Sequence, residues 1–298
     1  MIGTAIDFLL KAQNPDGGWG MGKGRRSITE ATSFALLSLS AFGDKSLANS
    51  IDRGLNWLTD RQNSDGGWPL DTHLKVSSWT TSLAILSLTP FEDHRQKALQ
   101  AAIWLIQQQG RGLGWLTSLI YRLKKLDVQL NPDLKGWSWT PGTFSWVEPT
   151  AYALIALKKL RPYLRGTQAE ERIRQGELMV YDRMCEGGGW NYGNSKVLGE
   201  NLWAYPDTTA LALIALQDHY KAEPNQLSLQ ALQKMLTQID SGYTLSWSIL
   251  CFSLYGHDVS EWIKLLARNY AKTGFLGETK TMALALLASG DGHRVFRV

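Results

Sequence analysis

The sequence predicts an all-α protein built as two concentric rings of six helices, an α6/α6 toroid. Three observations predict it. A phrase is stated twice about fifty residues apart, a repeat length that suits a two-helix unit and is too long for a coiled coil. Gln13-Asn14-Pro15-Asp16-Gly17-Gly18-Trp19 recurs as Gln62-Asn63-Ser64-Asp65-Gly66-Gly67-Trp68, and Glu186-Gly187-Gly188-Gly189-Trp190 is a weaker copy. Six stretches are apolar nearly all round, the mark of buried helices. Six others, alternating with them, carry one polar face. The alternation places the first set inside the second.

In chain order, an outer helix is expected over residues 2–13, ended by Pro15 and the Gly17-Gly18 turn. The first inner helix follows from Ile28 to Leu37. The outer segment 47–62 carries Leu55, Leu58 and Gln62 at three-to-four spacing. After the second phrase comes the inner stretch Ser78–Leu86, then the outer segment 94–109. Residues 110–136 break the period and read as an insertion. The third inner helix opens at Val147-Glu148-Pro149 and is followed by the outer segment 168–184. The fourth opens on Pro206, suited to a first helical turn. Leu229, Leu232 and Leu236 mark the outer segment 225–239. Two looser inner copies, about 243–255 and 279–288, flank the last outer segment, about 258–271. Residues 1–298 thus form one expected barrel domain.

Composition narrows the functions. The 298 residues are 44% hydrophobic and carry a net charge of +4 without a lysine/arginine block, so nucleic acid is not an expected partner. Cys185 and Cys251 are too few for a disulfide framework and lack metal-ligand spacing. Ile2 to Leu10, interrupted by Asp7, reads as a helix rather than a signal peptide, and no apolar run reaches membrane-span length. A reducing cytoplasm is the expected setting. In the insertion, Trp115, Leu116, Leu119, Ile120, Leu123 and Leu126 form an apolar stripe beside Arg122, Lys124 and Lys125. Residues 112–126 are expected either to rest on a membrane surface or to pack over the barrel end.

The tryptophans of the repeated phrase read as junction fillers that lie over a neighbouring loop, with the Gln13 and Gln62 amides bonding backbone groups left free at helix ends. The chemistry is expected just after each phrase. Glu30, Glu148 and Asp207 recur in the first turn of an inner helix. Capping explains such acids, because they meet the macrodipole and free N–H groups there, and for Glu30 that reading suffices. Glu148 and Asp207 lie on successive inner helices aimed at the barrel mouth. The dipole lowers a carboxyl pKa, whereas a proton donor needs it raised by burial or a neighbouring carboxylate. Facing each other, the two would share a proton. Trp79, Trp146, Tyr152, Trp203, Tyr205, Thr208 and Trp247 are expected to line an apolar pocket, together with Phe144 and Tyr243. Their ring faces suit a cation.

The pattern Gln-x-x-Asp-Gly-x-Trp, filled by Gln13, Asp16, Gly17 and Trp19 and by Gln62, Asp65, Gly66 and Trp68, resembles the QW repeat of squalene and oxidosqualene cyclases. Met184 stands where a third glutamine would be. The resemblance implies the double-ring barrel, which the β subunits of protein prenyltransferases share. Those need zinc held by an Asp-x-Cys pair and a histidine; neither Cys185 nor Cys251 has an aspartate two residues before it, so no metal or cofactor is expected. Cys185-Glu186-Gly187-Gly188 also departs from the Cys-Gly-Glu-Gln of complement-type thioester domains. Tyr205-Pro206-Asp207-Thr208-Thr209-Ala210 is similar to the acid motif of class II cyclases, with Asp207 at the proton donor. Tyr205 and Thr208 replace the flanking aspartates, so an epoxide, which needs a weaker acid, fits better than an alkene. One barrel instead of the family's two implies a shorter terpene or a prenylated aromatic compound. Two alternatives stand beside this: a carbohydrate-active enzyme pairing Glu148 with Asp207 over Trp79 and Trp146 platforms, and a non-catalytic binder of an isoprenoid.

Overall fold

A computed structural model describes residues 1–111, 130, 131, 133–197 and 199–298. Among them, twelve α-helices alternate between two rings. The inner ring comprises α2 (Thr29–Ser40), α4 (Thr80–Leu88), α6 (Val147–Leu160), α8 (Pro206–Ala215), α10 (Gly242–Leu254) and α12 (Thr279–Ala288). Each packs on the next, and α12 packs back on α2, so the ring closes. The outer helices are α1 (Ile2–Ala12), α3 (Ala48–Thr59), α5 (Arg95–Gln107), α7 (Ala169–Asp182), α9 (Glu223–Met235) and α11 (Ser260–Thr273). α1 leans on α12, and each of the others leans on the inner helix before it.

Burial follows the sequence pattern. In α2 every residue from Thr29 to Leu39 is buried, whereas α1 buries only Ala5, Leu9 and Ala12. Buried hydroxyls on the inner helices bond to backbone carbonyls. Ser87 Oγ donates to Leu83 O and, across to α2, to Ser33 O. One feature outside the helical scheme is a short hairpin, Lys196–Val197 paired with Glu200–Asn201.

The repeated phrase builds one junction. Trp19 donates its backbone N–H to Thr32 Oγ1 at the start of α2 and its indole N–H to Leu9 O of α1. Trp68 does the same to Thr81 and Leu58, and Trp190 to Thr209 and Val180. Gln13 Nε2 reaches Gly17 O and Ser50 O, and Gln62 Nε2 reaches Gly66 O and Lys97 O, each tying its loop to the next outer helix. Asp16 takes the Trp57 indole N–H, and Asp65 that of Trp104. The rings of Trp19 and Trp68 are fully buried between the two helix layers instead of lying over a loop.

Trp137 is a fourth member that the motif does not reveal. It donates its backbone N–H to Thr150 Oγ1 and its indole N–H to Leu105 O. In the Trp19, Trp68 and Trp137 junctions the threonine follows its tryptophan by 13 residues. That spacing is the signal that would have found it.

Gly54 of α3 lets Trp19 enter. A Cβ there would lie 2.6 Å from the Trp19 ring and 2.9 Å from Leu36. Alanine is favoured over glycine in a helix interior by about 1 kcal/mol, but overpacking a full core costs about 1–3 kcal/mol. Gly54→Ala is therefore expected to lower stability in urea unfolding, and an unchanged midpoint would contradict the packing described.

The expected insertion leaves and returns at one point: Gly110 N–H donates to Gly136 O at 3.0 Å. Arg172 clamps this base, giving hydrogen bonds to Gln108 O and Lys135 O while lying 4.2 Å above the Trp137 ring. The stripe of Trp115 to Leu126 lies outside the described residues. No helix among the described residues is long and apolar enough to cross a membrane.

Candidate active site

The junction threonines set a register. Glu30, Trp79, Glu148 and Asp207 each stand two residues before their threonine, Thr32, Thr81, Thr150 and Thr209. All inner helices start at the same barrel end, so these side chains meet at its mouth. The last two inner helices add Tyr243 and Lys280, the second residues of α10 and α12. One residue from each of six helices thus forms a crown. Sequence reasoning aligned the first four and counted Tyr243 among the pocket aromatics, but missed Lys280.

Lys280 organises the charges. Its Nζ lies 2.8 Å from Glu30 Oε1 and 4.6 Å from the centre of the Tyr243 ring. Both partners in the ion pair are largely buried, with side-chain exposures of 15% and 11%. Burial alone would lower the Lys280 pKa; Tyr243, Glu30 and Glu148 outweigh it and raise it. Glu30 is thus more than a helix cap: its carboxylate holds the mouth's buried ammonium.

Among the described residues, Glu148 has no cation at contact distance. Burial raises its pKa from 4.5 to about 7, the Lys280 charge opposes the rise, and the Asp207 and Glu30 carboxylates add to it. The residue lines the mouth, half-buried, with protein around most of its carboxyl group. Here desolvation and like charge defeat the helix dipole. Asp207, in the first turn of α8, is half-buried. Its charge is felt at Glu148, Tyr243 and Tyr192.

Below the crown the barrel centre is filled with aromatic rings. Tyr152, Phe34 and Trp247 meet edge to face at 6.1–6.4 Å between ring centres. Trp247 continues to Phe296 at 5.2 Å, and Tyr152 lies 5.4 Å from Trp79, whose other side meets Trp139 at 4.9 Å. Tyr152 and Trp247 are fully buried, so they form the floor of the mouth. Burial pushes the phenols of Tyr152 and Tyr243 up, and both stay neutral.

The remaining expected pocket residues sit at the rim. Tyr205 is 42% exposed and packs on Tyr192 at 5.1 Å, over Asp207. Tyr192 escaped sequence reasoning. Trp146 lies against Gly193 of the same loop. Thr208 is buried, and its Oγ1 has no hydrogen-bond partner among the described residues. Trp203 is 87% exposed and Phe144 54%, so neither joins the aromatic floor. A recess of about 650 Å³ opens beside the crown, with Glu30 in its wall.

A second charged cluster lies at the opposite end. The Lys158 ammonium, fully buried, contacts Glu177 Oε1 at 2.6 Å, Asp218 Oδ1 at 2.5 Å and Ala215 O at 2.8 Å. His219 Nε2 lies 3.0 Å from Glu177. Glu177, Asp218 and His219 are close enough together to offer ligands to a metal ion, but Lys158 already places a cation on both carboxylates. Cys185 and Cys251 are buried free thiols, and burial raises both pKa values.

The squalene-hopene cyclase C-terminal domain family matches residues 1–74, the part that carries both full copies of the phrase. The type II terpene cyclase MstE from Scytonema superposes with a TM-score of 0.56 at 17% identity, over 91% of this chain and 76% of that one. The chain has the terpenoid-cyclase fold. The terpenoid-cyclase barrel is also matched by enzymes of another chemistry. An α-amylase from Clostridium perfringens reaches a TM-score of 0.64 at 12% identity over 96% of both chains. The α-1,6-mannanase GH76A of Salegentibacter sp. HEL1_6 reaches 0.62 at 12% identity, over 99% of this chain and 100% of that one. No curated protein matches the sequence.

Proposed function

We propose that the chain is a class II terpene cyclase-like enzyme that starts cyclisation of an isoprenoid substrate by protonation, with residues 1–298 acting as one barrel. The observation that carries the reading is Glu148: a carboxyl group that burial keeps protonated up to about pH 7, set above a floor of aromatic faces. Glu148 gives its proton to a terminal epoxide or alkene. Carbon–carbon bonds then form as the cation moves along the chain, and loss of a proton ends the sequence. Asp207 and Glu30 help to hold Glu148 in its acid form, and Trp79, part-exposed at the mouth and backed by Tyr152, offers a ring face to the cation. Asp207, the residue that the motif marks, becomes the neighbour that tunes the donor. Support for an isoprenoid ligand comes from MstE, variants of which have been solved with geranylgeranyl dihydroxybenzoate as substrate and with merosterolic acid A as product.

The test is incubation of the purified protein with geranylgeranyl dihydroxybenzoate and its terminal epoxide, followed by mass and NMR analysis. A cyclic isomer of unchanged mass is expected, lost in Glu148→Gln and reduced in Asp207→Asn. Full cyclisation by Glu148→Gln would sink the proposal. The three carboxylates at an open mouth favour a second reading, glycoside hydrolysis. Release of reducing sugar from starch or α-1,6-mannan, with no terpenoid product, would replace the first reading by that one. Tight binding of the prenyl compound without turnover would mark a binder instead.

A further inference from the structure

The recess beside the crown has its own chemistry. It lies between the loop after Trp19 and the loop after Trp68, joined by the antiparallel bridge of Ile28 with Asp71. Its volume of about 650 Å³ is that of a small-molecule site. Met21 and Leu74 form exposed apolar walls, 40% and 52% accessible, and Leu70 continues them inward. Glu30 stands at the inner end and belongs to the crown as well.

Four formal charges face this space, and three are already answered. Arg26 pairs with Asp71 at 3.3 Å, and Glu30 pairs with Lys280 at 2.8 Å. The fourth, Arg25, has no side-chain partner among the described residues. Its backbone, and so the point from which the side chain leaves, is fixed by hydrogen bonds. Arg25 N–H donates to Gly22 O, and Arg25 O accepts from Asn14 Nδ2. Gly20 permits the tight curl: a Cβ there would strike Arg25 O at 2.3 Å. An unanswered guanidinium beside apolar walls matches an amphipathic anion, because a fork of donors takes carboxylate or phosphate oxygens in pairs. His73 adds a ring at the same rim, its backbone N–H held by Asp71 Oδ1.

We infer that this recess seats the anionic head group of an amphipathic ligand on Arg25 and His73, with the ligand's apolar chain running along Met21, Leu70 and Leu74 toward Glu30. Carboxylate and diphosphate heads share this chemistry. The inference rests on the proposed cyclase reading only for the destination of the chain, which there reaches the acid at Glu148.

Binding of farnesoic acid, farnesyl diphosphate and farnesol, followed by tryptophan fluorescence and calorimetry, tests it without turnover. Wild-type protein is expected to bind at least one of the two anions tenfold or more tightly than farnesol, and which one it prefers separates carboxylate from diphosphate. Arg25→Gln is expected to reduce that preference to less than threefold while leaving the farnesol affinity unchanged, and Arg25→Lys to keep part of it. Arg25 is exposed, and circular dichroism checks that its variants stay folded. Equal affinity for all three probes, no binding of any, or an anion preference that survives Arg25→Gln would overturn the inference. Anion preference without any cyclic product would leave this site standing and remove the proposed activity; cyclisation without anion preference would do the reverse.

Discussion

Glu148→Gln is expected to abolish turnover while making the protein harder to unfold at pH 8. The loss of turnover follows from removing the acid. A positioned general acid contributes about 100- to 10,000-fold in rate, so the variant should retain about 1% of activity or less. The wild-type pH profile carries the same signature. The reactive form is protonated, so kcat/KM should fall tenfold per pH unit above about 7, where Glu148 ionises. The stability change has the opposite sign. A carboxyl whose pKa rises from 4.5 to about 7 on folding holds a proton that the unfolded chain has released. Between those values the folded state binds more protons, so stability declines as pH rises through that window. At pH 8 the charged carboxylate costs the fold on the order of 2–3 kcal/mol. Glutamine removes this cost at pH 8, and the gain should shrink as pH falls toward 4.5. Activity within tenfold of wild type, or a urea midpoint that is unchanged at pH 8, would separate Glu148 from the role given to it.

Lys158→Met is expected to be strongly destabilising although it lies away from the mouth. The side chain is fully buried and donates to Glu177, Asp218 and Ala215 O. Methionine fills a similar volume but leaves Glu177 and Asp218 without their buried cation, and Arg161, 4.0 Å from the outer oxygen of Asp218, answers only part of the charge. Breaking a buried pair by removing one partner costs about 3–5 kcal/mol. Asp218 is 28% exposed, which lets water take up part of the charge, so the low end applies. A loss of about 3 kcal/mol corresponds to a fall in Tm of roughly 5 °C for a chain of this size. The triple variant Lys158→Met, Glu177→Gln, Asp218→Asn should recover much of that loss, because no unpaired charge remains. A Tm within about 3 °C of wild type for Lys158→Met would refute the account.

The rings were legible in the sequence because two kinds of information coincide there. All-round apolarity marks α2, α4, α6, α8, α10 and α12 as covered on every side, and the doubled phrase supplies the period. The start of each inner helix was also legible, and with it Glu30, Trp79, Glu148 and Asp207. Trp137 stayed hidden because the Gln-x-x-Asp half of the phrase is missing before it, although its spacing to Thr150 is intact. Lys280 and Lys158 stayed hidden for a different reason. A lysine in an apolar stretch reads as an exposed interruption, and only the packing of other helices around it reveals the anions it meets. The raised pKa of Glu148 belongs to the same class. It is a sum over burial, Lys280, Asp207 and Glu30, residues from three other helices whose proximity no local pattern records.

The Lys280–Glu30 pair sits at the seam of the ring. It joins the last inner helix to the first, from opposite ends of the chain, and it can form only when α12 has docked beside α2. Such a contact has nearly the greatest sequence separation the molecule allows, and loop-closure entropy delays contacts of that kind in folding. A chain with five inner helices in place would hold Glu30, Glu148 and Asp207 at a mouth without its ammonium. The site therefore does not mature helix by helix with the scaffold. Its electrostatics switch on in one step, when the circle is completed.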